Sequence, residues 1–160
     1  KEVGDKARSV ISNLDAGIDL AAVAAASGDS KDVKEARAFL EKSIESTVAV
    51  EGRDVDLLQR VIAKECEARI ALASILWSNN EKSAAEGQLG EACVRLDQLE
   101  ADAQAREKAR IKSGAMPPPK IQKLKFSIDD GVSAGEISCS RFKNDKFLGE
   151  SLRWPAVLRD

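Results

Sequence analysis

One stretch, Val61–Leu99, constrains the fold more than any other part of the chain. It reads VIAKECEARIALASILWSNNEKSAAEGQLGEACVRLDQL, two apolar-periodic runs around the short polar break Ser78-Asn79-Asn80-Glu81. Apolar side chains recurring at three- and four-residue spacing share one face of a helix. A break this short returns the second helix antiparallel beside the first. The unit is therefore a helical hairpin, and the rest of the chain extends it or hangs from it.

Two further helices, with extensions of the hairpin's own two, complete the helical body. The first helix is expected from about Lys6 to Ser27, with Val10, Ile11, Leu14, Ile18, Ala21, Ala22 and Ala25 on one side. Asp15-Ala16-Gly17 is where it would fray or bend, since glycine costs about 1 kcal/mol inside a helix. Gly28-Asp29-Ser30 supplies a C-terminal cap and then an N-cap. A second helix runs from near Ser30 to Val50, a third from Val55 to Ser78 with Asp54 as its N-cap, and a fourth from Glu81 to Ser113-Gly114. The last part of the fourth, ADAQAREKARIK, is almost wholly polar and should project into solvent.

Met116-Pro117-Pro118-Pro119 then favours extended backbone and marks a boundary. Residues 1–113 form the helical domain and residues 114–160 a proline-led, mostly extended C-terminal arm. Alternation around Asp129-Asp130-Gly131 is compatible with a short β-hairpin. At the end, Phe147, Leu148, Leu152, Trp154, Val157 and Leu158 form a small apolar cluster.

Composition narrows the function classes. Net charge is −2, made up of −2 over residues 1–50, −4 over 51–100 and +4 over 101–160. An acidic body thus carries a basic tail. Histidine is absent, which removes the commonest general base and metal ligand. Cys66, Cys93 and Cys139 show no metal-ligand spacing; Cys66 and Cys93 sit among apolar positions and read as buried thiols, with a Cys66–Cys93 pair the minor alternative. No run approaches the roughly 18 apolar residues of a membrane span, and no signal or transit peptide is visible.

Across the central hairpin, Leu72-Ala73, Leu76, Ala85, Leu89 and Ala92 have the spacing of a tetratricopeptide repeat, whose small residues let two helices approach. Arg69 stands where that family usually has an aromatic, Ala73 where it has glycine, and Asp97 where proline often ends the repeat. The first hairpin holds a looser copy, Val23-Ala24 with Ala36, Leu40 and Ser43. Ala36 and Ala85 lie 49 positions apart, against a repeat period of about 34. The chain resembles a degenerate tetratricopeptide array: all-α, about four main helices in antiparallel hairpins. With its PPPKIQKLKFSIDDG linker and SCSRFKNDKFLGESLRWPAVLRD tail it also looks like a group of plant chloroplast tetratricopeptide-like proteins. That resemblance implies a plastid protein, in the stroma or at the thylakoid surface, that holds other proteins during assembly or regulation of photosynthetic complexes. It transfers no catalytic residue.

Candidate sites weigh toward binding. Glu65 and Glu67, two apart on a helix, point to different faces and read as solvated surface; Asp129-Asp130-Gly131 reads as a turn. Gly87 and Gly90 form no phosphate loop and are expected to permit close helix contact. No cofactor, metal site or enzyme activity is indicated. Arg106, Lys108, Arg110, Lys112, Lys120, Lys123 and Lys125 oppose only Glu107, a local charge of +6. This run is either a solvated helix end or a contact for an acidic protein or anionic membrane surface; nucleic acid ranks last because no aromatics interleave. Trp77 reads as core or hairpin packing. Trp154, with Phe147 and Leu152, is either a strap across the helices or a partner anchor. The function expected is a non-catalytic interaction scaffold or adaptor. The alternative is a compact four-helix bundle that shields or stabilises a membrane-associated complex.

Overall fold

The first segment carries an alanine-rich apolar stripe. In the computed structural model, which describes residues 2–50, 55–114 and 139–156, this segment is one unbroken helix, α1 (Glu2–Ser27). It buries Val10, Leu14, Ile18, Ala21 and Ala24. Gly28 stops it in the left-handed region (φ +69°), its N–H donating to the Ala24 carbonyl at 3.1 Å. Asp29 then caps α2 (Ser30–Thr47), its Oδ1 accepting from the Lys31 N–H at 2.7 Å.

The helix does not break at Gly17, where the glycine serves packing. A β-carbon at Gly17 would lie 3.0 Å from Leu40 Cδ2 and 3.2 Å from Phe39 Cδ1. Glycine here lets α2 press against α1 and seats Ala36, Leu40 and Ile44 on its stripe. The expectation of no membrane-length apolar run also needs correcting. Asp5–Ser27 is long and apolar enough to cross a membrane, because its alanines, valines and isoleucines outweigh Asp15 and Asp19. In this structure that apolarity is used as a core face against α2 and α3.

α3 (Val55–Ser78) is the central element, packed on α1, α2 and α4. Its turn into α4 (Lys82–Lys112) falls where the polar break predicts. Asn80 adopts φ +64°, the Glu81 N–H donates to the Leu76 carbonyl at 2.9 Å and the Asn80 N–H to the Trp77 carbonyl at 3.0 Å. This paired closure satisfies carbonyls that the helix end leaves free. Across the hairpin, Leu72, Ala73, Leu76, Ala85 and Ala92 are buried as seam residues, but Leu89 is substantially exposed and leaves that set. Arg37 of α2 reaches Glu81 at 2.6 Å and ties the turn to the first hairpin.

α4 packs on α3 along its first two-thirds; among the described residues no packed face joins it to α1. Beyond Glu100 none of its described side chains is buried, so about 12 residues, roughly 18 Å of helix, run past the body. All regular structure among the described residues is helical. The described part of the C-terminal region differs from the extended arm expected. It coils into a 3₁₀ turn (Cys139–Lys143) and a π turn (Phe147–Ser151) laid against the second hairpin. The β-hairpin expected around Asp129-Asp130-Gly131 and the Asp54 cap lie outside the described residues.

Candidate interaction site

Two features on the second hairpin bear on function: the exposed side and end of α4, and the tail seated beside them. On α4, Gly87, Gly90 and Val94 lie on an exposed face, at i, i+3 and i+7. Among the described residues no side chain or neighbouring element lies within 4 Å of a β-carbon built at either glycine, so neither mediates the close helix contact expected of them there. Further along, Arg106 and Arg110 occupy the projecting turns and Lys112 ends the helix, exposed. Lys120, Lys123 and Lys125 lie outside the described residues. The structure therefore brings three of the six predicted basic positions onto one projecting helix end. Cations there also complement the negative end of the helix dipole.

The tail is fixed by one covalent bond and an aromatic cluster. Cys93 of α4 and Cys139 form a disulfide, with Cα atoms 4.8 Å apart and 46 positions between them in sequence. This corrects the reading of Cys93 as a buried thiol or partner of Cys66; the pairing spans two regions and could not be deduced from spacing. Beside it the Cys139 N–H donates to Asp97 Oδ1 at 3.2 Å. Phe142 meets Phe147 edge-on at 5.7 Å and Trp154 at 6.5 Å, and Arg141 lies 4.5 Å over the Phe147 ring. Arg153 takes φ +55°, reversing the chain so that the Trp154 N–H donates to the Leu148 carbonyl at 2.9 Å. Trp154 is only 3% exposed and Leu148 is buried with it, while Phe147 and Leu152 are half-buried against the same core. Trp154, read from sequence as either a strap across the helices or a partner anchor, is thus covered by its own chain.

Charge inside the body was missed altogether from sequence. Glu65 is 2% exposed, not solvated. It accepts from Arg69 at 2.9 Å and from Arg95 of α4 at 3.0 Å, while Arg69 reaches Gln88 at 2.8 Å and Arg95 reaches Glu91 at 2.6 Å. Glu67 does point to a different face, toward α1. There Lys64 bridges it at 2.9 Å and Asp15 at 2.8 Å. Burial raises the Glu67 carboxyl above the usual carboxylate range despite Lys64 beside it. Burial opposes the Lys64 ammonium, but Glu67 and Asp15 outweigh it and raise its pKa. The available signal was the i,i+4 pairing of Glu65 with Arg69 and Glu91 with Arg95. Cys66 is a free buried thiol pushed up to about 12 by desolvation and by Glu65, so it is no nucleophile at neutral pH.

Trp77 is not core: it is 47% exposed at the hairpin turn, with the Lys82 ammonium 5.1 Å from its ring centre. Among the described residues no three histidine, cysteine or carboxylate side chains are grouped to hold a metal ion. Comparison of the chain with family models, with curated proteins and with solved structures finds no match.

Proposed function

We propose that the protein is a non-catalytic scaffold whose second hairpin receives a protein partner. One observation carries this reading: α3 packs on α1, α2 and α4, while α4 keeps an outer face and a basic end without a helical neighbour among the described residues. That order is what stacked antiparallel hairpins produce, and such arrays use their unfilled faces for recognition. It supports a tetratricopeptide-like array over the closed four-helix bundle, in which α4 would also pack against α1. The charge of α4's end, with Arg106, Arg110 and Lys112, favours an acidic protein, possession of which also fits a plastid assembly or regulatory role at a thylakoid surface.

A photo-crosslinking residue at Val94 or Lys112 tests the reading. It should capture one partner from both positions, and Arg106→Glu/Arg110→Glu/Lys112→Glu should reduce that capture at least tenfold. Equal capture from Val48, exposed at the far hairpin, or indifference to the charge reversal, would count against it.

A further inference from the structure

We propose that Cys139–Ala156 is a redox-released strap: reduction of Cys93–Cys139 frees it from the second hairpin while the four helices stay folded. The inference stands on how the segment is held and does not depend on the partner reading. Its covalent tie to α4 is the disulfide. A hydrogen bond from the Cys139 N–H to Asp97 ties it to α4 at the same place, and the Arg141 charge acts on Glu67 of α3. Removing the disulfide therefore also loosens the hydrogen bond beside it.

The apolar contacts that remain are few beside those of the body. Within the described core, every buried apolar side chain except Leu148 and Trp154 lies on the four helices. The helices consequently keep their own core when the strap leaves. Docking also carries a cost of its own. Trp154 Nε1 is buried without an acceptor among the described residues, and water would satisfy that N–H once the ring is released. Arg153 likewise leaves its left-handed backbone. A side chain that was buried unsatisfied and a strained residue both favour the released state.

The chemistry needs a dithiol reductant and proceeds by ordinary exchange. Cys93 is partly exposed and Cys139 buried, so the incoming thiolate reaches Cys93 Sγ first. Its attack forms a mixed disulfide on Cys93, breaks the S–S bond and expels Cys139 as a thiolate, which takes a proton. The second thiol of the reductant then attacks its own mixed-disulfide sulfur, leaving Cys93 reduced and the reductant oxidised by two electrons. Cys66, buried and held protonated, takes no part.

The test uses the full chain carrying Trp77→Phe, so that Trp154 is the sole tryptophan. Intact mass after thiol alkylation should first find one disulfide in the air-oxidised protein. Dithiothreitol should then shift Trp154 emission to the red and speed tryptic cleavage after Arg141, Lys143 and Lys146 at least tenfold, with the far-ultraviolet helix signal unchanged. Cys139→Ser should behave as the reduced form without reductant and should not respond to it. A reductant lacking its resolving cysteine should be trapped on Cys93. Absence of the disulfide, cleavage rates within twofold of each other, loss of helix along with the strap, or trapping on Cys139 would each overturn the proposal.

Discussion

At the scale of single residues, the informative positions are charges that the helices bury. Lys64 sits between Asp15 and Glu67 with its side chain 10% exposed. Replacing it by methionine leaves two carboxylates facing each other with only the weaker influence of Arg141 on Glu67, and breaking a buried pair in this way costs about 3 kcal/mol. Thermal unfolding of Lys64→Met should fall by about 6–12 °C, at 2–4 °C per kcal/mol for a chain of this size. Adding Glu67→Leu should recover most of the loss, because an apolar replacement removes the stranded charge; no recovery would refute the assignment. The pH dependence has a definite sign. Glu67 has a raised folded pKa, so its contribution is greatest below the unfolded carboxylate value and is lost as pH rises through the folded one. The deficit of Lys64→Met should therefore narrow on acidification from pH 7 toward 4.5. Cys66 acts at the other end of the scale. Its pKa is raised from 9.0 to about 12, so the stability it confers is intact below pH 9 and declines as pH climbs toward 12. Denaturant midpoints measured across that window should drop in the native protein and drop less in Cys66→Ala.

At the scale of elements, what was legible depended on whether the signal was local. Helix ends were readable because Gly28 and Asp29, and the polar run through Asn80, satisfy backbone groups within a few residues. The facing of those helices was less so, as the glycines illustrate. Gly17 reads as a weak point and is instead a close approach to Leu40, whereas Gly87 and Gly90 read as contacts and face open space. Glycine identity states what the backbone can do and carries no information about which neighbour lies opposite. The same limit explains Leu89 and Trp77, whose hairpin positions suggested burial, and Glu65, whose two-residue offset from Glu67 gave the direction but not the depth. The tail failed differently: its coiling is imposed by docking and by a disulfide whose partner lies 46 positions away. The glycine contrast makes a direct prediction. Gly87→Ala with Gly90→Ala should stabilise the protein by about 2 kcal/mol, the helix-propensity gain at two unobstructed sites. Gly17→Ala should gain nothing, since the new methyl meets buried Leu40, and Gly17→Val should cost about 2 kcal/mol through overpacking. Chemical denaturation of the three variants checks the order; a gain from Gly17→Ala equal to half that of the double variant would contradict the packing of α1 on α2.

At the scale of the whole molecule, the structure divides into a helical body and a covering segment of unequal stability. The body owns a continuous core through α1, α2, α3 and the inner face of α4, while the segment adds Leu148 and Trp154 at one edge. Elements with few buried contacts open without global unfolding. For the segment, that opening is limited by the Cys93–Cys139 link, which in the chain-entropy picture contributes about 4 kcal/mol for a loop of this length. This hierarchy predicts saturation. Trp154→Ala in the oxidised protein should cost about 3 kcal/mol of segment docking, the usual loss on truncating a buried aromatic. Leu148→Ala should cost about 2 kcal/mol by the same mechanism. Both act on one docking equilibrium, so once either has undocked the segment the other has nothing left to remove. The double variant should fall short of the sum by at least about 1 kcal/mol, a coupling typical of side chains sharing one cooperative unit. Native-state hydrogen exchange distinguishes the levels: amides of 139–156 should lose protection in all three variants, and those of α3 should retain theirs. Additive losses that reach α3 would mean that segment and body unfold as one unit, and would make the tail a structural part of the helical core.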